Sequence, residues 1–253
     1  MICTSIFQYN FIFRPNIFLR LERCTQKFDV ELAWLLDHVK TTAISKIFIV
    51  YVRSINLCYQ IYMWLITNLM EKAFMGSIPS IENRRIEMFH ANTDSDTKTR
   101  ILEDFTLTSS NIKVLISTVA FGMGVNIRDV DLVVHWGLPT SSLAYWQEIG
   151  QCGRDGRDSY AICYAYKMLI SKLQNKEFKE LVDLDSCIRT HILQTLLLDG
   201  MDGNELTSLK NHVACSGECN EICSCTKCKC CIVCQKACQC KGKEENPLKH
   251  FVN

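Results

Sequence analysis

The chain has 253 residues, 48% hydrophobic and 22% charged, with a formal net charge of +1. That length holds one sizeable domain and a smaller appendage, and the near-zero charge excludes nucleic-acid binding by bulk attraction, so any DNA contact has to come from local placement of charge. No apolar run reaches the roughly 18–20 residues that span a bilayer, and the apolar residues 1–13 lack the basic start and small-residue cleavage site of a secretory signal.

In chain order, residues 46–54 read as a strand with a nearly continuous apolar core, the pattern of a strand buried on both faces of a parallel sheet. Residues 56–71 carry apolar side chains at helical spacing, and a further apolar-rich stretch ends at Met88-Phe89-His90. A helix is expected over 97–105, strands over 111–118 and 131–135, a helix over 142–150 and a closing strand over 159–166. This alternation predicts an α/β fold with a largely parallel sheet. Composition shifts near residue 168; residues 172–184 are charged and helical in pattern, and from Cys187 the chain reads as a small domain.

Of 16 cysteines, ten fall between Cys215 and Cys240. Cys3, Cys24, Cys58, Cys152 and Cys163 sit in apolar or motif surroundings and read as reduced packing residues. The clustered ones imply metal ligation or disulfides, and the absence of an export signal favours metal. A disordered or metallothionein-like tail is the alternative.

Three segments carry the chemistry. In residues 147–156, Gly150, Gly153 and Gly156 allow a tight turn that projects Arg154. A guanidinium held this way suits the equatorial oxygens of a phosphoryl group in transfer, although the segment also reads as a loop with a solvated arginine. In residues 114–126 a buried strand runs into Ser117 and Thr118 and then a glycine-rich turn. Ligands of open α/β sheets bind beyond the carboxyl ends of strands, where hydroxyls and amides can hold a phosphodiester; a structural strand-to-loop junction is the other reading. Phe89-His90-Ala91 with Arg100 is compatible with a satisfied core histidine.

The order and spacing of these segments resemble the second lobe of superfamily-two helicases, and most closely the RecQ family. Arg14-Pro15-Asn16-Ile17 looks like the lead-in to that lobe, and Ile49-Val50-Tyr51 with Ser54 like its motif four. Phe89-His90-Ala91 with Arg100 is similar to the tyrosine-histidine-alanine segment, Ala120-Phe121-Gly122-Met123-Gly124 to motif five, and Gln147-Glu148 through Gly156 to motif six. The resemblance covers residues 14–168 well and the tail less well. It implies a RecA-like parallel sheet with helices on both faces, closing on ATP and magnesium held by a first lobe. Arg154 would be the arginine finger, Gln147 would sense the γ-phosphate, and Gly124, Asn126, Gly150 and Gly153 would face the nucleotide. Ser54, His90, Arg100, Ser117 and Thr118 would lie along single-stranded DNA, which the motor would track 3′ to 5′ in nuclear repair or recombination.

Two departures from the family stand out. Gln151 occupies the place of an arginine and brings no charge. No Gly-x-x-x-x-Gly-Lys-Ser/Thr and no Asp-Glu dipeptide occur, so the ATP-holding lobe is expected to be absent and the chain inactive by itself. The family's zinc segment has a helical cysteine followed by arginine and then a Cys-x-x-Cys-x-x-Cys cluster. Cys187 with Arg189, and Cys228, Cys231 and Cys234, look like that ligand set, while Cys215, Cys219, Cys223, Cys225 and Cys230 compete for places and Cys234, Cys238 and Cys240 are candidates for a second site. The expected organisation is a stub over 1–13, the lobe over 14–168, the zinc segment over 169–240 and a tail over 241–253. A noncatalytic DNA- or helicase-binding zinc module, or a gene fragment, is the alternative.

Overall fold

The sequence Ile-Phe-Ile-Val-Tyr-Val at Ile47–Val52 is buried at every position. Side chains alternate across a strand, so Ile47, Ile49 and Tyr51 enter one apolar cluster while Phe48, Val50 and Val52 enter another. This strand is the middle of a two-faced sheet in a computed structural model that describes residues 14–41, 46–76, 78–107, 110–118, 130–172, 179–196 and 225–240.

Six strands form that sheet: β1 (Ile17–Cys24), β2 (Ile47–Val52), β3 (Ile86–Phe89), β4 (Val114–Ser117), β5 (Val130–Trp136) and β6 (Ser159–Tyr166). Their order across the sheet is β1-β6-β5-β2-β4-β3 and every pairing is parallel. The connecting helices are α1 (Phe28–Glu31), α2 (Trp34–Lys40), α3 (Ile55–Leu69), α4 (Ser95–Thr106), α5 (Ser142–Ile149) and α6 (Lys167–Lys172), followed by α7 (Ile188–Thr195) and α8 (Ile232–Lys236). Leu35 and Val39 of α2 and Cys58, Ile61 and Leu65 of α3 cover one face. Ile101 and Phe105 of α4, Tyr145 and Ile149 of α5 and Ile188 and Ile192 of α7 cover the other. The fold is thus α/β, a parallel sheet with helices on both faces, as the alternation of apolar segments predicts.

Local chemistry sets the element ends. Ser54, Asp94 and Ser141 cap α3, α4 and α5, each side chain accepting from the amide three residues on, which satisfies one of the orphan donors of a first helical turn. Ser54 therefore belongs to a cap, and the expected strand over 46–54 stops at Val52. The strand expected over 111–118 runs only from Val114 to Ser117. Of the charged stretch at 172–184, α6 ends at Lys172, residues 179–180 are helical and lead into a 3₁₀ turn at Leu181–Asp183, and residues 173–178 lie outside the described set.

β1 is the edge strand that patterning missed, because Arg20, Glu22 and Arg23 interrupt its apolar run. It pairs with β6 along its whole length, from Ile17 opposite Ser159 to Cys24 opposite Tyr166. On its free side it meets the cysteine-rich segment: the Leu19 amide donates to the Cys230 carbonyl at 3.2 Å. That contact covers an edge that would otherwise offer unpaired amides and carbonyls. Cys230, Cys231 and Cys234 enter the same cluster as Ile17 and Leu19, so this part of the segment packs on the lobe. Among the described residues no helix is long and apolar enough to cross a membrane.

Ile49 is fully buried in the central strand. Ile49→Ala is expected to cost about 2–5 kcal/mol through lost burial and the cavity it leaves. A chemical-denaturation midpoint checks this; a change below about 1 kcal/mol would be inconsistent with so tightly packed a site.

Candidate functional site

Because all strands run the same way, the expected site residues separate into two edges of the sheet. Ser54, His90, Ser117 and Thr118 follow or close the carboxyl ends of β2, β3 and β4. Thr118 is half-buried and its amide donates to the Phe89 carbonyl at 3.3 Å. Ser54 is exposed beside Arg53, whose Nη1 donates to the Leu138 carbonyl at 3.0 Å. A hollow of about 210 Å³ at this edge is lined by Tyr51, Arg53, Thr118, His135, Thr140 and Glu148 among others. Within it, His135 Nε2 lies 2.7 Å from Glu148 Oε2.

Three expected contacts come out differently. Ser117 is fully buried and its hydroxyl has no hydrogen-bond partner among the described residues, so it offers no surface to a DNA backbone. Arg100 does not project freely: it holds Glu87 at 2.7 Å and Asp104 at 3.6 Å. Burial pushes the Glu87 carboxyl above its ordinary range, against the pull of Arg100. His90 is half-buried, with its amide donating to Thr93 Oγ1 at 3.0 Å and its Nδ1 buried without a partner among the described residues. Gly124 and Asn126, with the rest of the glycine-rich turn at 119–129, lie outside the described residues.

The second edge holds the segment with Arg154. Helix α5 ends at Gly150, and the chain turns through Gly153 (φ +58°) and Gly156 (φ +88°) before β6. The Gly153 amide donates to the Val130 carbonyl at 2.9 Å, tying the loop to the amino end of β5. Asn16 Nδ2 donates to the carbonyls of Gly153 and Arg157, both at 2.8 Å. Arg14, only 8% exposed, donates through Nη1 to the Gly150 carbonyl at 3.0 Å and through Nη2 to the Cys152 carbonyl. Arg14 and Asn16, quoted from the sequence only as a lead-in, are the brackets of this loop.

Arg154 is exposed at the tip, with Nη2 donating to Gln151 Oε1 at 2.6 Å and Nε to the Gly150 carbonyl at 3.3 Å. Partial burial lowers its guanidinium from the ordinary value, with Tyr51 opposing. Gln151 is 6% exposed; here it accepts a hydrogen bond from Arg154 and orients it. Gln147 is exposed on α5, one turn before the loop.

The cysteines also sort differently from their spacing. Cys187, Cys231 and Cys234 are joined by Cys230, with all four sulfurs within 4.8 Å of one another. Cys228 is not among them; it lies with Cys225, Cys238 and Cys240 in a separate group of the same compactness. The correction is geometric: residues 226–230 fold as turns before α8, and they bring the Cys230 sulfur, not that of Cys228, to Cys231 and Cys234. Cys215, Cys219 and Cys223 lie outside the described residues. Arg189, two residues after Cys187, is 3% exposed and donates to the carbonyls of Arg14 (2.7 Å), Ile17 and Cys230 (3.3 Å).

The loop geometry yields a paired prediction. An alanine Cβ at Gly153 would come within 2.4 Å of Ser159 Oγ, 2.5 Å of Asn16 Nδ2 and 2.9 Å of the Arg157 carbonyl, whereas at Gly156 nothing lies within 4 Å. Gly156→Ala should cost about 1–2 kcal/mol from its left-handed backbone alone, and Gly153→Ala clearly more. Thermal unfolding of the two variants checks the order; equal losses would mean that the Asn16 bracket does not form.

Comparison with known proteins bears on what this arrangement is. Residues 31–156 match the helicase conserved C-terminal domain. The ATP-dependent DNA helicase Q-like 5 of Arabidopsis thaliana is 39% identical over 95 residues, 38% of this chain and 10% of that protein. The ATP-dependent DNA helicase RecQ of Haemophilus influenzae is 34% identical over 87 residues, 34% of this chain and 14% of that protein. The matched part therefore spans a small share of the length of these curated relatives. Among solved structures, Mycobacterium smegmatis helicase Lhr bound to ssDNA and AMP-PNP has a TM-score of 0.50 at 17% identity, covering 71% of this chain and 22% of that one, a likeness of fold alone. Residues 31–156 thus carry a helicase conserved C-terminal domain, and the stretch is similar to the corresponding part of RecQ-type DNA helicases.

Proposed function

We propose that the chain acts as the second motor lobe of an ATP-dependent 3′–5′ DNA helicase. The observation that carries this reading is the bracing of the Arg154 loop, whose backbone is held by Arg14 and Asn16 while the guanidinium stays at the exposed tip. A cation projected from a fixed turn suits charge spread over a phosphoryl group in transfer, because little reorganisation is needed when that charge develops. In this reading Arg154 is the arginine finger, Gln151 orients it, Gln147 senses the γ-phosphate, and Gly150 and Gly153 let the backbone approach the nucleotide. Gly124 and Asn126 would also face the nucleotide. ATP and magnesium are supplied with a first helicase lobe, since the sequence has neither a Gly-x-x-x-x-Gly-Lys-Ser/Thr loop nor an Asp-Glu dipeptide.

DNA is placed at the other edge, along Ser54, Thr118 and the cavity beside them, with His90 and Arg100 supporting that surface. ATP-driven closing and opening of the lobes would then advance a single strand. Zinc is assigned to Cys187, Cys230, Cys231 and Cys234. Four thiolates with no open position suit a structural ion, and here it would hold α7 against the segment that covers β1. Duplex unwinding in DNA repair or recombination, and nuclear residence, follow by analogy with RecQ-type helicases.

The test joins this chain to a competent RecQ first lobe and follows DNA-stimulated ATP turnover. Arg154→Ala should lower turnover by about 10³-fold or more, the usual worth of an arginine finger, and the chain without that lobe should show none. A loss below tenfold in a folded fusion would remove Arg154 from the transition state.

Weak binding of single-stranded DNA should also fall with rising salt, since phosphate contacts release counterions. Fluorescence anisotropy at increasing salt reads this. Binding that is insensitive to salt would contradict a backbone contact at Thr118 and Ser54.

A further inference from the structure

The cysteines outside the first group show a second built cluster. Cys225, Cys228, Cys238 and Cys240 bring their sulfurs within 4.8 Å of one another. The Cys225 sulfur lies 3.7 Å from that of Cys238 and 3.6 Å from that of Cys240, and the last two are 3.0 Å apart. Thiolates at about 2.3 Å from a tetrahedral zinc ion stand about 3.8 Å from each other, close to the first two separations. Disulfide pairing fits less well: the separations exceed a sulfur–sulfur bond of about 2.05 Å.

What fills this cluster decides the matter. Cys228, Cys238 and Cys240 are each 3–4% exposed, and among the described residues the hydrophobic side chain packed with them is that of Cys225. The large apolar residues of 225–240 are Ile232 and Val233, and both pack against the main core instead. Three buried thiols and a half-buried one, with no aliphatic neighbour among the described residues, cannot close a compact unit by apolar burial, and segments of this kind need a staple. The local turns are also those of a ligand pair. The Cys228 amide donates to the Cys225 sulfur at 3.3 Å, as the Cys234 amide does to Cys231 in the first group at 3.5 Å. Such donors favour the thiolate, the form that binds metal.

We propose that Cys225, Cys228, Cys238 and Cys240 form a second tetrathiolate site for a zinc-class divalent cation, interleaved with the first. It is structural, with no open coordination position. Ligation deprotonates the thiols, and the protons pass to solvent. Cys228 and Cys230 then serve different ions, and Lys229 between them is fixed on Asp158 of the lobe at 2.7 Å. The second ion closes the two ends of residues 225–240 on each other, while the first ties their middle to β1 and α7. The proposal draws on the zinc assignment of the first group but on no part of the arginine-finger reading.

Metal content of the full chain, purified under reducing conditions and exchanged against trace zinc, tests it by elemental analysis. About two zinc ions per chain are expected, falling to about one in Cys238→Ser/Cys240→Ser and to about one in Cys187→Ser. Cobalt replacement gives a second readout: the charge-transfer absorption of thiolate-bound cobalt should fall by roughly half in Cys238→Ser/Cys240→Ser, without loss of the lobe's circular dichroism. One zinc in the parent chain that survives Cys238→Ser/Cys240→Ser and disappears in Cys187→Ser would overturn the second site alone. One zinc with the reverse pattern would support it and remove the first. A chain with no zinc would overturn both.

Discussion

Two buried arginines, one behind the other, hold the functional end of this molecule together. Arg189 donates to the carbonyls of Arg14 and Ile17, and Arg14 donates to those of Gly150 and Cys152. Burial lowers the Arg14 guanidinium from its ordinary value; Cys152 raises it, while Arg154 and Arg189 lower it again. Desolvating such groups is costly unless their donors are met, so the carbonyls that receive them cannot move independently. The same relay connects three stretches far apart in sequence: α7 with its cysteine, the start of β1, and the loop that carries Arg154. The Arg189 guanidinium also lies 5.8 Å from the Trp146 ring centroid, adding α5 to the set.

This arrangement gives the lobe a division of labour. The amino ends of β1, β5 and β6 carry a loop fixed by backbone hydrogen bonds, suited to a rigid phosphoryl contact. The carboxyl ends of β2, β4 and β5 carry a polar hollow with hydroxyls and Arg53, suited to a backbone of phosphates. The β2 and β5 strands span both edges, and their side chains are almost all buried. In the proposed reading, such a rigid body would lie between nucleotide and DNA, where a soft one would dissipate the displacement.

Much of this was legible in the sequence where burial dictates the residue. The strands at Ile47–Val52, Val130–Trp136 and Ser159–Tyr166 are near-continuous apolar runs, and the helix at Ile55–Leu69 shows its period. Gly153 was legible because its backbone conformation and close neighbours admit little else. β1 was not, because Arg20, Glu22 and Arg23 interrupt its apolar run, and α1 and α2 are too short to show a period. Ser117 reads as a surface hydroxyl in one dimension and is buried in three. The cysteine partition was hidden for a different reason: Cys228 has the Cys-x-x-Cys spacing to Cys231 and Cys230 does not, yet it is Cys230, docked on Leu19, whose sulfur joins those of Cys231 and Cys234.

The central claim is that the cysteine segment, the edge strand and the Arg154 loop form one mechanical unit. Amide hydrogen exchange of the intact chain, with and without a zinc chelator, tests it most directly. The account predicts faster exchange after chelation in residues 225–240 and 187–196 and also in 150–157, while Ile47–Val52 and Val130–Trp136 stay protected. Opening of 225–240 with no change in 150–157 would contradict it, because the relay through Arg189 and Arg14 would then carry nothing.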